Sequence, residues 1–130
     1  MANILIIDDD ADFILATQAI LEAGGHAVTS AGDSKAGLEK IKSVDPDLII
    51  LDIMMDSIYE GFSVTTTLRG TPEYMDYRDI PVLMVSAVKK ITGERFDIPD
   101  TARIAASDAF LDKPFTAEDL NEKVNQLLAG

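Results

Sequence analysis

The chain has 130 residues, of which 47% are hydrophobic, and this suffices for one compact core but not for two. We therefore expect a single domain over residues 1–130. The formal net charge of -12 disfavours binding to nucleic acid or to anionic membranes, because both carry charge of the same sign. Cysteine is absent, which excludes disulfides and thiolate metal sites. No apolar stretch approaches a membrane span and the N-terminus is not signal-like, so we expect a cytoplasmic protein.

Short apolar runs alternate with helical segments from the start of the chain. Residues 4–7 form the first run, and the helical spacing of apolar residues that follows it stops at Gly24-Gly25. Residues 27–29 predict a second strand, and a second helix of amphipathic period follows.

The second half of the chain continues this alternation. The last helix is expected to begin behind a Thr116 cap, with Asp119 three residues on. Glycine and proline interrupt the stretch after the fourth run, so the fourth helix is expected to be short, residues 99–106, after a long loop. The third helix is expected to begin near Gly61, and the third, fourth and fifth apolar runs are residues 48–51, 81–85 and 109–111.

Continuously apolar strands separated by helices indicate a parallel sheet that is covered on both faces. We therefore predict an α/β fold with a five-stranded parallel sheet in the flavodoxin-like order 2-1-3-4-5 and helices on both faces. Sheets of this type carry their sites at the carboxyl ends of the strands, where the strand order reverses.

Polar residues stand at those strand ends. In the predicted order strands one and three are neighbours, so the acids that follow them should converge and repel one another unless a cation is present. Mg²⁺ prefers such oxygen ligands. The carboxylate of Asp52 could then attack a phosphoryl group, with a charge from Lys113 and a hydroxyl donor from Ser86. The strand-end residues are Asp8, Asp9 and Asp10 after strand one, Asp52 at the end of strand three, Ser86 at the end of strand four and Lys113 after strand five.

These motifs resemble those of the receiver domains of bacterial two-component response regulators, the CheY-like family, over essentially the full chain. The resemblance implies that Mg²⁺ is bound by Asp9, Asp52 and the backbone carbonyl of Met54, with Asp8 holding a metal-bound water. It also implies that an aromatic residue on strand five changes rotamer, a position that Phe110 matches. The matching motifs are Asp8-Asp9, Asp52, Ser86-Ala87 and Lys113-Pro114-Phe115.

The function that follows is a phospho-accepting signalling switch, and the expected cofactor is Mg²⁺. A sensor histidine kinase or phosphotransfer protein would phosphorylate Asp52, and Ser86, Lys113 and Phe110 would carry the change to a downstream effector protein. The resemblance is compatible with a homodimer through the fourth helix, fifth strand and fifth helix. Because of the net negative charge, we expect no nucleic-acid or membrane partner. We expect no enzyme activity beyond the domain's own phosphorylation and dephosphorylation.

The chain departs from the family pattern after Asp52. Met55-Asp56 replaces the usual Met-Pro, and the loop at residues 57–61 is one residue longer than is common. Met54 and Val88 are apolar at the positions that influence attacking water, so we expect slow self-dephosphorylation.

Simpler interpretations exist for each motif. The acidic triplet could merely cap a helix, and Asp10 is expected to do so. Ser86 could be a turn residue and Phe110 core packing. His26 is expected to be structural or exposed, and Arg69 an ordinary surface charge.

Two other function classes remain open at this point. An aspartyl-phosphate phosphatase would want a second acid where Met54 stands. A flavodoxin-like binding module would need a glycine-rich phosphate loop where this chain has acids. The sequence leaves open whether the domain acts alone, as a relay shuttle or within a larger protein, and it does not identify the kinase or the effector.

Overall fold

A parallel β-sheet forms the centre of the fold in the computed structural model, which describes residues 2–52, 64, 66–86, 109–112 and 115–129. The strand order is β2-β1-β3-β4-β5, and every neighbouring pair is parallel. The α/β class and the parallel sheet predicted from the sequence are confirmed. The strands are β1 (Asn3–Ile7), β2 (Ala27–Ala31), β3 (Leu48–Asp52), β4 (Val82–Ser86) and β5 (Ala109–Asp112).

Helices connect and cover these strands. Residues 64 and 66–70 are also helical, and the predicted start of that helix near Gly61 lies outside the described residues. The long loop and the short fourth helix at residues 99–106 lie outside them as well. The helices with complete bounds are α1 (Ala11–Ala23), α2 (Ser34–Val44), a short 3-10 helix (Pro72–Tyr77) and the C-terminal α3 (Ala117–Ala129).

The alternation of side chains along each strand divides the core between the two faces of the sheet. Leu5 and Ile7 of β1 pack with α2 on one face, whereas Ile4 and Ile6 pack with α1 and α3 on the other. All four of these residues are fully buried. Because both faces of the central strands are covered, β1, β3 and β4 have no polar side to show, which explains the apolar runs at residues 4–7, 48–51 and 82–85.

Local hydrogen bonds fix where the helices begin. Asp10 caps α1 by accepting from the backbone N–H of Phe13 at 3.1 Å. At α3, Thr116 Oγ1 accepts from the N–H of Asp119 at 3.0 Å, as the predicted cap requires. These contacts satisfy N–H groups that the helix itself leaves without partners.

The chain turns sharply after α1 and α2. Gly25 follows α1 with a φ of 92°, a left-handed conformation that glycine adopts without strain. Asp45 ends α2 with a φ of 50°, the one non-glycine residue with positive φ in the described ranges. The predicted stop of the first helix at Gly24-Gly25 is therefore confirmed.

The 3-10 helix at Pro72–Tyr77 was not predicted from the sequence, and it packs against α2. Tyr74 is buried there, and its hydroxyl donates to the carbonyl of Leu38 at 3.3 Å. Lys42 lies 4.8 Å from the centre of the Tyr74 ring and also pairs with Glu73. The hydrogen bond to Glu73 raises the pKa of Lys42 above its ordinary value. This contact is local to the surface of α2 and does not involve the strand ends that carry the acids.

Candidate functional site

The acidic residues lie where the strand order of the sheet reverses. β1 and β3 are neighbours, and the register pairs Ile7 with Leu51. Asp8 directly follows β1 and Asp52 is the last residue of β3, so the two residues after this register pair stand side by side. The sheet therefore brings together two carboxylates that are far apart in the sequence, as predicted.

Asp9 completes a cluster of three carboxylates. One oxygen from each of Asp8, Asp9 and Asp52 lies within 4.8 Å of the other two. Asp8 is fully buried, Asp52 is 6% exposed and Asp9 is exposed to solvent. The cluster thus has two buried carboxylates and a third one that solvent reaches.

The conformation of the turn after β1 holds Asp8 in place. Its backbone N–H donates to the carbonyl of Ala31 in β2 at 3.0 Å, which ties the turn to the neighbouring strand. Its Oδ1 accepts from the backbone N–H of Asp10 at 2.9 Å. The turn therefore fixes the Asp8 carboxylate by a local hydrogen bond as well as by burial.

The acidic triplet divides between two roles. Asp10 caps α1, as expected, whereas Asp8 and Asp9 belong to the carboxylate cluster. The simpler interpretation, in which the whole triplet only caps a helix, therefore holds for Asp10 alone.

The charges of the cluster favour a cation. Two unit negative charges no more than 4.8 Å apart, such as those of Asp8 and Asp52, repel by about 3.5 kcal/mol at an effective dielectric constant of about 20. A divalent cation would replace this repulsion with attraction. Carboxylate oxygens are the hard ligands that Mg²⁺ and Ca²⁺ take, so the residues present fit such an ion. The cluster can accordingly hold a metal ion beside the carboxylate of Asp52.

The ends of β4 and β5 lie at the same edge of the sheet. Val85 pairs with Asp52, and the next residue, Ser86, pairs with Asp112. Phe110 pairs with Met84 in the middle of β5. The backbone of Ser86 is thus one residue beyond the partner of Asp52, at the carboxyl end of the sheet.

Several predicted site residues fall outside the described part of the chain. These are Met54, Lys113 and Val88, together with the side chains of Ser86 and Phe110. Their roles stay predictions.

His26 lies away from the acids, at the start of β2. Its Nδ1 accepts from the backbone N–H of Ala2 at 3.3 Å, which is the structural role expected of it. Arg69, by contrast, is not an ordinary surface charge, and that expectation was wrong. Its side chain is half-buried, and Nη2 donates to the carbonyl of Ile80 at 3.2 Å, so it anchors the segment that leads into β4.

Sequence reasoning also missed a contact between two aromatic rings. Phe13, in the first turn of α1, packs edge to face against Phe115, with ring centroids 5.8 Å apart. The signal available in the sequence was that each phenylalanine closely follows a site motif, Asp8-Asp9 in one case and Lys113-Pro114 in the other.

The described helices include no membrane span, because none is both long and apolar enough to cross a bilayer. The fold and the cluster together define an α/β domain with an acidic, cation-compatible site at the carboxyl edge of a parallel sheet.

Comparison with known proteins identifies this domain. Residues 4–125 match the family described as the response regulator receiver domain. The chain therefore belongs to the receiver domain family, whose members are the phospho-accepting switches of two-component response regulators. This membership favours the predicted signalling function over a flavodoxin-like binding module or a phosphatase.

Individual relatives agree with this assignment. The chain is 31% identical to the alkaline phosphatase synthesis transcriptional regulatory protein PhoP of Bacillus subtilis, over 97% of this chain and 48% of that protein. It is 35% identical to the DNA-binding dual master transcriptional regulator RpaA of Synechocystis, over 98% of this chain and 49% of that protein. The receiver domain of the Francisella response regulator 1452 superposes with a TM-score of 0.78 at 27% identity, covering 99% of this chain and 98% of that one.

The chain spans about half the length of the curated relatives it matches. The name of RpaA describes a DNA-binding protein, so the expectation of no nucleic-acid partner concerns these 130 residues alone.

Proposed function

We propose that Asp52 is the phospho-accepting residue of this receiver domain. The observation that carries the proposal is the meeting of Asp8, Asp9 and Asp52 at the switch point of the sheet, with Asp52 at the end of β3. Asp8 is fully buried and oriented by the turn after β1. Asp52 is the acid of the three that comes from the central strand, and it faces the edge at which β4 and β5 also end.

Mg²⁺ is the proposed cofactor, held by Asp8, Asp9, Asp52 and the backbone carbonyl of Met54. Asp8 acts in this arrangement mainly through a metal-bound water. When bound, the ion neutralises the charge of the cluster and of an incoming phosphoryl group. The exposure of Asp9 supports this assignment, because one carboxylate of the cluster is open to solvent, from which an ion can approach.

The transfer itself is carried out by residues of the chain. A carboxylate oxygen of Asp52 attacks phosphorus in line, and the bond between phosphorus and the histidine nitrogen of the donor breaks. The electron pair of that bond stays on the donor imidazole. Lys113 offers a positive charge to the phosphoryl oxygens, and the hydroxyl of Ser86 donates a hydrogen bond to one of them.

The output follows from the new charge on Asp52. The phosphoryl group carries about -1.5 to -2 of charge in place of the single negative charge of the carboxylate, and its three acceptor oxygens draw Ser86 and Lys113 inward. After this inward movement Phe110 repacks on β5, and the change biases the surface that an effector protein reads. The parallel pairing of β4 with β5 supports this route, since it links the backbone of Ser86 to the strand that carries Phe110.

The remaining assignments complete the proposal. The phosphoryl donor is a sensor histidine kinase or a phosphotransfer protein, in the cytoplasm. The domain is not an enzyme toward other substrates and catalyses only its own phosphorylation and dephosphorylation. A homodimer through the region of the fourth helix, β5 and the last helix is compatible with this function. Self-dephosphorylation is slow, because Met54 and Val88 offer no hydrogen bond to an attacking water.

The test is phosphoryl labelling with acetyl phosphate in the presence of Mg²⁺. Asp52→Asn removes the nucleophilic oxygen at almost constant size, so labelling should be abolished. Asp10→Asn is the matched control, because it changes an acid of the same triplet while asparagine caps a helix as well as aspartate does. The control should label like the wild type. Labelling of the Asp52→Asn variant at the wild-type level would refute the assignment.

A further inference from the structure

Two aromatic rings join the loops at the carboxyl edge of the sheet. Phe13 lies in the first turn of α1 and Phe115 lies just before α3, and their rings meet edge to face at 88° with centroids 5.8 Å apart. Both side chains are half-buried and pack against the core beneath α1 and α3. The contact is therefore part of the packed interior at this edge and not a chance approach of two exposed side chains.

On one side, this contact leads directly to the carboxylate cluster. The backbone N–H of Phe13 donates to Oδ1 of Asp10 at 3.1 Å. The backbone N–H of Asp10 donates in turn to Oδ1 of Asp8 at 2.9 Å. Two hydrogen bonds thus connect the residue that carries one ring with a buried carboxylate of the proposed site.

On the other side, one residue of the contact is close to Lys113 in the sequence. Phe115 is two residues after Lys113 in the sequence, and Asp112, immediately before it, is held in β5 by pairing with Ser86. Thr116, immediately after Phe115, is held by the cap of α3, where its carbonyl also accepts from the N–H of Leu120 at 3.1 Å. The described residues on both sides of Lys113-Pro114 in the sequence are therefore held by strand pairing and by the helix cap.

We propose that Phe13 and Phe115 are positioning residues for phosphoryl transfer to Asp52. Their contact sets the distance between the segment that carries Lys113 and the turn that carries the acids. Neither ring has a polar atom, so neither can act on the phosphoryl group itself. The inference rests on the proposed function, because Lys113 must act on that group for its position to matter.

The variant Phe115→Ala should slow phosphoryl labelling but leave Mg²⁺ binding unchanged, because different segments of the chain carry the acids and Lys113. The acids come from the turn after β1 and from the end of β3, so Mg²⁺ binding should stay close to that of the wild type. The rate of labelling by acetyl phosphate at saturating Mg²⁺ should fall by about tenfold or more, since a misplacement of about 1 Å can cost a factor of about 100. Phe115→Tyr keeps the ring and should label at the wild-type rate.

Matched variants separate positioning from general loss of stability. Leu128→Ala removes a side chain that packs against the same core near the far end of α3. It should lose stability in a urea titration and still label at the wild-type rate. Phe13→Leu and Phe115→Leu keep an apolar side chain and serve if the alanine variant does not fold. The double variant Phe13→Leu/Phe115→Leu should label no more slowly than either single variant, because each substitution removes the same ring contact.

The outcomes are distinct. Slow labelling of Phe115→Ala with unchanged Mg²⁺ affinity supports the inference. Wild-type labelling by folded Phe115→Ala or Phe115→Leu, or equal slowing in Leu128→Ala, overturns it while the proposed function stands. A wild-type protein that acetyl phosphate does not label would instead overturn the proposed function, and this inference with it.

Discussion

Gly37 lies where α2 packs closely against Ile7 of β1, and its replacement by alanine gives a quantitative test of the packing beside the site. A Cβ atom at this position would lie 2.5 Å from Cδ1 of Ile7, 2.8 Å from its Cγ1 and 3.0 Å from its Cγ2. Ile7 is fully buried and directly precedes Asp8. Because Ile7 is fully buried, either its side chain must move within the packed core or α2 must shift away from β1.

Two opposing terms set the expected change in the free energy of unfolding for Gly37→Ala. Overpacking of a filled core costs about 1–3 kcal/mol. Alanine in place of glycine in a helix contributes about 1 kcal/mol in the other direction. We therefore expect a net loss of about 1 kcal/mol, although the same substitution in an open helix would stabilise the protein.

Urea denaturation followed by far-ultraviolet circular dichroism measures this change, and it needs no tryptophan, which the chain lacks. Ile7→Val removes Cδ1, the atom nearest to the new methyl group, and alone should cost about 0.5–1.5 kcal/mol. In the double variant with Gly37→Ala the losses should fall short of their sum by up to about 1 kcal/mol, because the shortest of the three contacts is removed while those to Cγ1 and Cγ2 remain.

Gly70→Ala is the control for this experiment, since no atom of the described residues lies within 4 Å of a Cβ at that helical position. It should be neutral or stabilise by about 0.4–1 kcal/mol. Additive losses in the Ile7→Val/Gly37→Ala pair, or a Gly37→Ala variant more stable than the wild type, would refute the close contact between α2 and β1.

Three further substitutions test other parts of the structure. Asp45→Gly should stabilise the protein by up to about 1 kcal/mol, because Asp45 holds a left-handed φ of 50° at the end of α2, and an unchanged urea midpoint would contradict this. Gly25→Ala should destabilise it by about 1 kcal/mol, because the φ of 92° strains any residue with a Cβ atom, and thermal unfolding measures the loss. Asp9→Asn should weaken Mg²⁺ binding, measured by calorimetry, whereas Asp12→Asn, which alters an exposed acid of the first turn of α1, should not. Equal Mg²⁺ affinity of these last two variants would count against the cluster as the metal site.

The sheet could be predicted from sequence because its strands are covered on both faces. A run such as residues 48–51 must then be apolar throughout, and such runs stand out in a chain with many charges. The positions of Asp8 and Asp52 followed from the same reasoning, since parallel strands end at a common edge.

Other features depend on contacts that no local pattern encodes. The triplet of acids divides between cap and cluster only because the turn after β1 points the carboxylate of Asp10 toward the helix and not toward Asp52. The sequence predicts Arg69 to be a surface charge, because its hydrogen bond to the carbonyl of Ile80 forms only when the segment before β4 is folded beside it. The ring contact of Phe13 with Phe115 joins opposite ends of the chain, so helical periodicity reports only that both residues are apolar.

We propose that the carboxylate of Asp52, and not that of Asp8 or Asp9, accepts the phosphoryl group. Treating the phosphorylated protein with borohydride converts an aspartyl phosphate to homoserine, and peptide mass spectrometry then locates the altered residue. The claim predicts homoserine at position 52 and unchanged aspartate at Asp8 and Asp9. Homoserine at either of those two positions, with Asp52 intact, would contradict it.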